Sequence, residues 1–125
     1  MFNFSGERPS NLGVKDGKLA ACPGTPNCVN SQSDDAQSKI DALPALSIAE
    51  IKGVVEEMEG TTIIEETGDY LYAEFKSKLM GYVDDVEFYH DGASNVVQVR
   101  SASRLGKSDL GVNRKRVEEI RRKLK

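Results

Sequence analysis

The sequence has no tryptophan, one histidine, His90, and two cysteines, Cys22 and Cys28. A structural zinc site usually takes four cysteine or histidine ligands, so these side chains are too few and we expect no metal. Two cysteines also exclude a disulfide-rich secreted scaffold. The sequence shows neither a phosphate-binding glycine loop nor a nucleophile with a matching base. We therefore expect no cofactor and favour a protein that is not an enzyme.

Long apolar runs and an excess of positive charge are also missing. No run approaches the roughly 18 apolar residues of a membrane-spanning helix, and the first residues lack the charged and apolar segments of a secretory signal. As written, the chain is expected to be cytoplasmic. Its net charge of −3 excludes a surface built as a whole to attract nucleic acid or anionic lipid.

The length of 125 residues suits a single domain with one core. Residues 1–41 are rich in Gly, Pro, Ser, Asn and Asp and show no helical or strand period. We expect an irregular segment there, draped over the core at an edge or an end of the sheet. Residues 42–125 are expected to form an α-β-β-β-β-α core.

The first predicted helix begins at Ser47, because Ser47 and Glu50 form a capping box. Gly60 is expected to stop it. The apolar residues between them fall at helical spacing on one face. They are Ile48, Ile51, Val54, Val55 and Met58.

The second predicted helix runs from about Asp109 to Lys125, and Asn113 falls within its apolar stripe. If Asp109 caps the helix, Asn113 points inward and needs hydrogen-bond partners. If Asn113 is itself the cap, the helix is shorter and Asn113 needs no buried partner. The stripe consists of Leu110, Val117, Ile120 and Leu124.

Four strands are predicted between the helices, from stretches rich in β-branched and aromatic residues that turn residues bound. They follow one another without helices, and Gly68–Asp69 and Asp91–Gly92 mark tight turns. We therefore expect an antiparallel meander and an α+β fold. The stretches are TTIIEE, DYLYAEFKS, YVDDVEFYH and NVVQVRSAS.

Alternation along these strands separates two faces of the sheet. One face is apolar and is expected to meet the first helix: Leu71, Ala73, Phe75, Val86, Phe88, Val97 and Val99. The other mixes aromatic and charged side chains, and we expect it to be exposed to solvent, as one face of an antiparallel sheet commonly is. It carries Tyr70, Tyr72, Glu74, Asp85, Glu87, Gln98 and Arg100.

Four segments, RPSNLG, CPGTPNCV, DDVEF and RSASRLGKSDLGVNRKRV, together resemble the family of domain of unknown function 1499. The last segment is the most specific, because its polar residues and glycines stand at spacings that would seldom recur by chance. The resemblance implies an α+β domain, widespread in bacteria and photosynthetic organisms, with no agreed activity. Many relatives carry a membrane or export segment, which this chain as written does not show.

Cys22 and Cys28 enclose a short loop with two prolines and a glycine, which favours a closed conformation. We expect a structural disulfide or a pair of packed thiols. The alternative is a redox-active pair, which needs one thiolate with a depressed pKa and is usually more closely spaced.

The segment from Arg100 to Asp109 is the main candidate site. Its guanidinium and hydroxyl groups, with backbone donors at a helix start, are the parts of an anion or carboxylate site. The interpretation that we favour is that the arginines lock the N-terminal segment by bonding its carbonyl groups. We also expect this segment and the cysteine loop to be neighbours beneath the second helix. The candidate binding residues are Arg100, Ser101, Ser103, Arg104, Asp109 and Asn113.

Other polar features are expected to be structural. Asp84 and Asp85 point to opposite faces and cannot form a catalytic dyad, whereas Asp85 or Glu87 can pair across strands with Arg100. His90 is expected to face solvent. The C-terminal run RKRVEEIRRKLK has seven basic and two acidic residues, which allows peripheral membrane contact. No aromatic residue accompanies them, so we do not expect nucleic acid as a partner.

These features favour a non-catalytic module that binds a small molecule or assembles with another protein. The mixed sheet face, with Tyr70, Tyr72 and Gln98, or the Arg100–Asp109 segment would form its surface. One alternative is a thiol–disulfide protein that uses the two cysteines. The other is a small hydrolase-like enzyme with its pocket at Arg100–Asp109.

Overall fold

The computed structural model describes residues 5–78, 80–106 and 110–124, and over these ranges the chain forms an open antiparallel sheet with two helices on one face. The strand order is β1-β5-β4-β3-β2, so β2 to β5 form a meander. The predicted α+β class is confirmed. The elements are β1 (Cys28–Asn30), α1 (Ile48–Val55), β2 (Thr61–Glu66), β3 (Tyr70–Lys76), β4 (Val83–Asp91), β5 (Val96–Ser103) and α2 (Val112–Lys123).

The expectation that residues 1–41 are irregular throughout is wrong, because this segment contains β1. The strand pairs antiparallel with β5, with Cys28 opposite Ala102 and Asn30 opposite Arg100. A strand of three residues is too short to show an alternating pattern, and its conformation is decided by hydrogen bonds to β5. The N-terminal segment therefore supplies one edge of the sheet.

Helix α1 starts as predicted. The Ser47 hydroxyl accepts from the Glu50 amide at 3.1 Å, and the Glu50 carboxylate accepts from the Ser47 amide at 3.2 Å. The helix ends at Val55, before the predicted stop at Gly60. Gly60 is required for another reason: its φ is 81°, and a Cβ there would lie 2.4 Å from the carbonyl oxygen of Lys76.

Helix α2 begins later than predicted. Its N-cap is Gly111, which has a φ of 81° and makes no side-chain cap, while Asp109 lies outside the described residues. Leu110 was expected on the buried stripe, and this is wrong because its side chain precedes the helix and is 87% exposed. Asn113 is not the cap. It points inward and is fully buried.

The apolar face of the sheet packs against both helices, as the strand pattern predicts for α1. Val86, Phe88, Val97 and Val99 are fully buried there. Burial of such side chains contributes roughly 1.5–3 kcal/mol each to folding. The core also takes in residues from the N-terminal segment and both helices: Val29, Ile40, Leu43, Ile48, Ile51, Val55, Leu71, Ala73, Phe75, Val117 and Ile120.

The opposite face of the sheet was expected to be exposed, and this is wrong. Its phenols and charged groups are covered by residues 5–21, which we call the strap. Leu12, Val14 and Leu19 of the strap pack on Tyr70 and Tyr72. Strand alternation separates the two faces but cannot show what covers each, so this error is intrinsic to the pattern. The buried polar residues of this face include Tyr70, Tyr72, Asp85, Glu87, Gln98 and Arg100, all less than a tenth exposed.

Candidate functional site

The cysteine loop and the Arg100–Asp109 segment are neighbours, as predicted. Cys22 and Cys28 form a disulfide, and Cys28 lies opposite Ala102 on β5. The Ser103 amide donates to the carbonyl of Asn27 at 3.0 Å, and the Asn27 side chain donates to the carbonyl of Gly106 at 2.7 Å. The loop therefore stabilises the end of β5 from its edge.

Alternation along β5 divides the predicted site residues into two groups. The side chains of Arg100 and Arg104 lie on the strap side of the sheet, and those of Ser101 and Ser103 lie on the α2 side. Asp109 lies outside the described residues. The predicted residues therefore do not form one site, and whether any of them binds a ligand stays a prediction.

Arg104 is the centre of a charged cluster on the strap side. Its Nε and Nη2 bind both oxygens of Asp85, at 2.9 and 2.8 Å, and Nη2 also contacts Glu74 at 2.6 Å. The hydrogen bonds with Asp85 raise the pKa of Arg104. Burial alone would raise the pKa of Glu74, but hydrogen bonds from Arg8 and Arg104 outweigh it and lower that pKa. Nη1 of Arg104 donates to the carbonyl of Gly6 at 3.5 Å.

Arg100 and Glu87 form a second buried pair, directly opposite each other on β5 and β4. Their nearest charged atoms are 3.9 Å apart, and Arg100 donates to the carbonyl of Ala21 at 3.3 Å. Glu87 accepts from Tyr70 at 2.5 Å and from the amide of Gly13 at 2.7 Å. Burial raises the pKa of Glu87 and lowers that of Arg100. Both arginines thus hold the strap, as the interpretation favoured above expects.

On the other side of the sheet, Asn113 connects three elements. Its oxygen accepts from Ser101 at 2.6 Å and from Arg116 at 2.8 Å. Its amide nitrogen donates to Ser103 at 2.9 Å and to the carbonyl of Asn27 at 3.2 Å. A buried amide with partners on β5, α2 and the cysteine loop fixes the start of α2 on the sheet.

A cleft of about 500 Å³ opens beside this network, at the end of the sheet where β3 ends and β4 begins. We call it the terminal cleft. Its volume falls within the range of about 300–1,000 Å³ that small-molecule sites occupy. Its walls come from the ends of β3 and β5, residue 59 before β2, residues 77, 78 and 82 between β3 and β4, residues 105, 106 and 110 between β5 and α2, and α2 itself. The lining includes Phe75, Lys76, Lys78, Tyr82, Asp84, Ser103, Leu105, Leu110, Val112 and Arg116.

The floor of the terminal cleft is polar and internally paired. Phe75, Asp84 and Ser103 lie directly opposite one another across β3, β4 and β5. Arg116 of α2 binds Asp84 at 2.8 Å, and its guanidinium carbon lies 4.9 Å from the centre of the Phe75 ring. Both charged side chains are little exposed, at 13% and 11%. Asp84 and Asp85 point to opposite faces, as predicted.

The rim of the cleft is apolar and exposed. Leu110 is the most exposed of these side chains, and its backbone φ of 56° is in the left-handed region that leucine rarely adopts. The rim could have been inferred from the sequence, because its leucines, methionine and tyrosine stand in stretches whose other residues are typical of turns. In the described residues, the exposed large apolar side chains are Met80, Tyr82, Leu105, Leu110 and Val112.

Two arginines of α2 have internal roles that the charge pattern of the sequence did not indicate. Arg114 donates to the carbonyls of Gln37 and Lys39, and Arg121 donates to those of Asp41 and Ala42. These arginines hold the N-terminal segment along the helix. His90, expected to face solvent, is half-buried, and its Nδ1 lies 3.0 Å from the carbonyl oxygen of Leu46.

In the described part of the chain, neither helix has the length and apolar character that a membrane span requires.

Comparisons with known proteins give one match. No curated protein and no solved structure matched this chain. A family model described as Protein of unknown function (DUF1499) matches residues 18–124, a range that holds the disulfide, all five strands and both helices. The chain therefore belongs to the DUF1499 family.

Proposed function

We propose that this chain is a non-catalytic binding module that holds a small, largely apolar ligand in the terminal cleft. One observation carries the proposal. Four of the five exposed large apolar side chains in the described residues line this one cleft, and Met80 lies in the turn beside it. Single exposed apolar residues are ordinary on a protein surface, but a cluster around a concavity is typical of a binding site.

The conformation of Leu110 supports the same proposal. A leucine with positive φ costs roughly 1 kcal/mol or more relative to a glycine in that conformation. Here the strained residue presents an 87% exposed apolar side chain at the rim of the cleft. A contact with a ligand would offset both the strain and the exposure of apolar surface.

The chemistry of the floor favours binding over catalysis. The Asp84 carboxylate is paired with Arg116, and the Ser103 hydroxyl accepts from the Asn113 amide. Neither arrangement activates a nucleophile, which would need a base within hydrogen-bond reach. Apolar walls with a few fixed polar groups are typical of sites that bind small molecules.

The test is a fluorescence titration with anilinonaphthalene sulfonate, a dye that brightens in apolar sites, followed by native mass spectrometry of the complex. We expect one saturable site in the wild type. Leu110→Asn is the informative variant, because asparagine tolerates positive φ and the leucine is exposed, so the fold is retained. We expect it to weaken dye binding roughly fivefold, the effect of losing about 1 kcal/mol of apolar contact.

Ala93→Asn is the matched control. Ala93 is exposed in the turn between β4 and β5, at the opposite end of the sheet from the cleft. This variant is expected to bind the dye like the wild type. Absence of saturable binding, or equal weakening by both substitutions, would exclude the terminal cleft as the site.

The two alternative functions stay predictions. For a thiol–disulfide protein, the accessible sulfur would have to be that of Cys22, since Cys28 is only 2% exposed. For a hydrolase at Arg100–Asp109, the arginines and serines lie on opposite faces of β5. The expected cytoplasmic location also stays a prediction, and the disulfide favours an oxidising compartment instead.

A further inference from the structure

The charged groups of the terminal cleft are distributed unevenly between its floor and its mouth. At the floor, Arg116 pairs with Asp84 and donates to Ser101 and Asn113, so its positive charge is compensated and both terminal nitrogens have partners within the protein. A ligand carboxylate placed there would meet the carboxylate of Asp84 in a poorly hydrated place. Such an approach is unfavourable, because like charges repel most strongly where water is excluded.

The mouth offers the opposite environment. Lys76 and Lys78 line the cleft and are exposed, and among the lining residues three cations meet two carboxylates. Lys78 lies 3.4 Å from Glu59, but the two side chains are 88% and 78% exposed. A pair so open to water is weak and exchanges readily with another anion. Lysine ammonium groups at an apolar rim can bind an anion while it stays hydrated.

We propose that the ligand is a single-chain carboxylate, bound with its apolar chain against Leu105 and Leu110 of the rim and its carboxylate at Lys76 and Lys78. This inference rests on the proposed function and adds the chemical class and the orientation of the ligand. The apolar rim favours a ligand with an apolar chain, and the ion pair at the floor disfavours an anion there. The two lysines bind the carboxylate of the ligand at the mouth.

The experiment compares three probes with the same chain, decanoate, decanol and decyltrimethylammonium, by displacement of the dye or by calorimetry. We expect decanoate to bind roughly fivefold more tightly than decanol, because exposed lysines contribute only a modest attraction to a carboxylate. The cation is expected to bind most weakly, because the lysines repel it. High salt is expected to reduce the advantage of decanoate, because it screens exposed charges. The double variant Lys76→Gln/Lys78→Gln is expected to weaken decanoate binding about fivefold and leave decanol binding unchanged.

The control is Lys15→Gln/Lys18→Gln, which removes two exposed lysines of the strap and changes the net charge equally. This control variant is expected to bind decanoate and decanol as the wild type does. If decanol binds as tightly as decanoate, or if both lysine variants weaken decanoate alike, the carboxylate assignment is overturned and the apolar cleft stands. If none of the probes binds saturably, the proposed function fails together with this inference.

Discussion

Replacement of Arg104 by methionine is expected to destabilise the fold strongly, because it leaves the buried carboxylate of Asp85 without its cation. The guanidinium makes a bidentate pair with Asp85 and a 2.6 Å contact with Glu74, and its side chain is only 7% exposed. Removing one partner of a buried ion pair costs about 3–5 kcal/mol. Glu74 keeps its contact with Arg8 at the surface. We therefore expect a loss of stability at the lower end of this range, about 3 kcal/mol.

The assay is urea unfolding followed by circular dichroism, with thermal unfolding as a second measure. A loss of about 3 kcal/mol lowers the midpoint of a domain of this size by about 10 °C. Arg122→Met is the matched control, since Arg122 is exposed on α2, and its effect is expected to stay within about 0.5 kcal/mol. Arg104→Lys is expected to lie between the two, because an ammonium group cannot form the bidentate pair.

A double-mutant cycle separates the energy of the Arg104–Asp85 pair from other destabilising effects of the substitutions. Asp85→Asn combined with Arg104→Met is expected to cost less than the sum of the two single substitutions, since each removes the group that the other leaves unpaired. A loss below about 1 kcal/mol for Arg104→Met, or strict additivity in the cycle, would show that this buried pair does not stabilise the fold.

Two further predictions concern the disulfide and the buried Glu87. Replacing both Cys22 and Cys28 by serine is expected to lower the free energy of unfolding by roughly 2 kcal/mol from loop entropy, while binding in the terminal cleft persists; an unchanged denaturant midpoint would contradict this. Because burial raises the pKa of Glu87 above its ordinary value, the folded state takes up this proton more readily than the unfolded state does. The stability of the wild type relative to Glu87→Gln is therefore expected to fall as the pH rises from about 4.5, and a difference that grows with pH would refute it.

Local patterns in the sequence predicted much of the architecture. The capping box at Ser47 and the apolar alternation of the meander concern residues near one another in the chain, and both are present in the structure. The neighbourhood of the cysteine loop and the end of β5 was also predicted. The terminal cleft was not, since its floor joins β3, β4, β5 and α2 through contacts between distant residues.

The mixed sheet face shows the same limit most clearly. Which residues lie on this face follows from the two-residue period of a β-strand. That period is a local property of the backbone, so it can be read from the sequence. Their burial follows from the strap, which is held by single contacts such as those of Gly13 and Ala21 with charged groups far along the chain. Helix starts, strand faces and tight turns arise from interactions between near neighbours, so the order of residues is sufficient to place them. Coverage, pairing of charges and the shape of a cleft depend on which distant surfaces meet, and only the folded chain decides that.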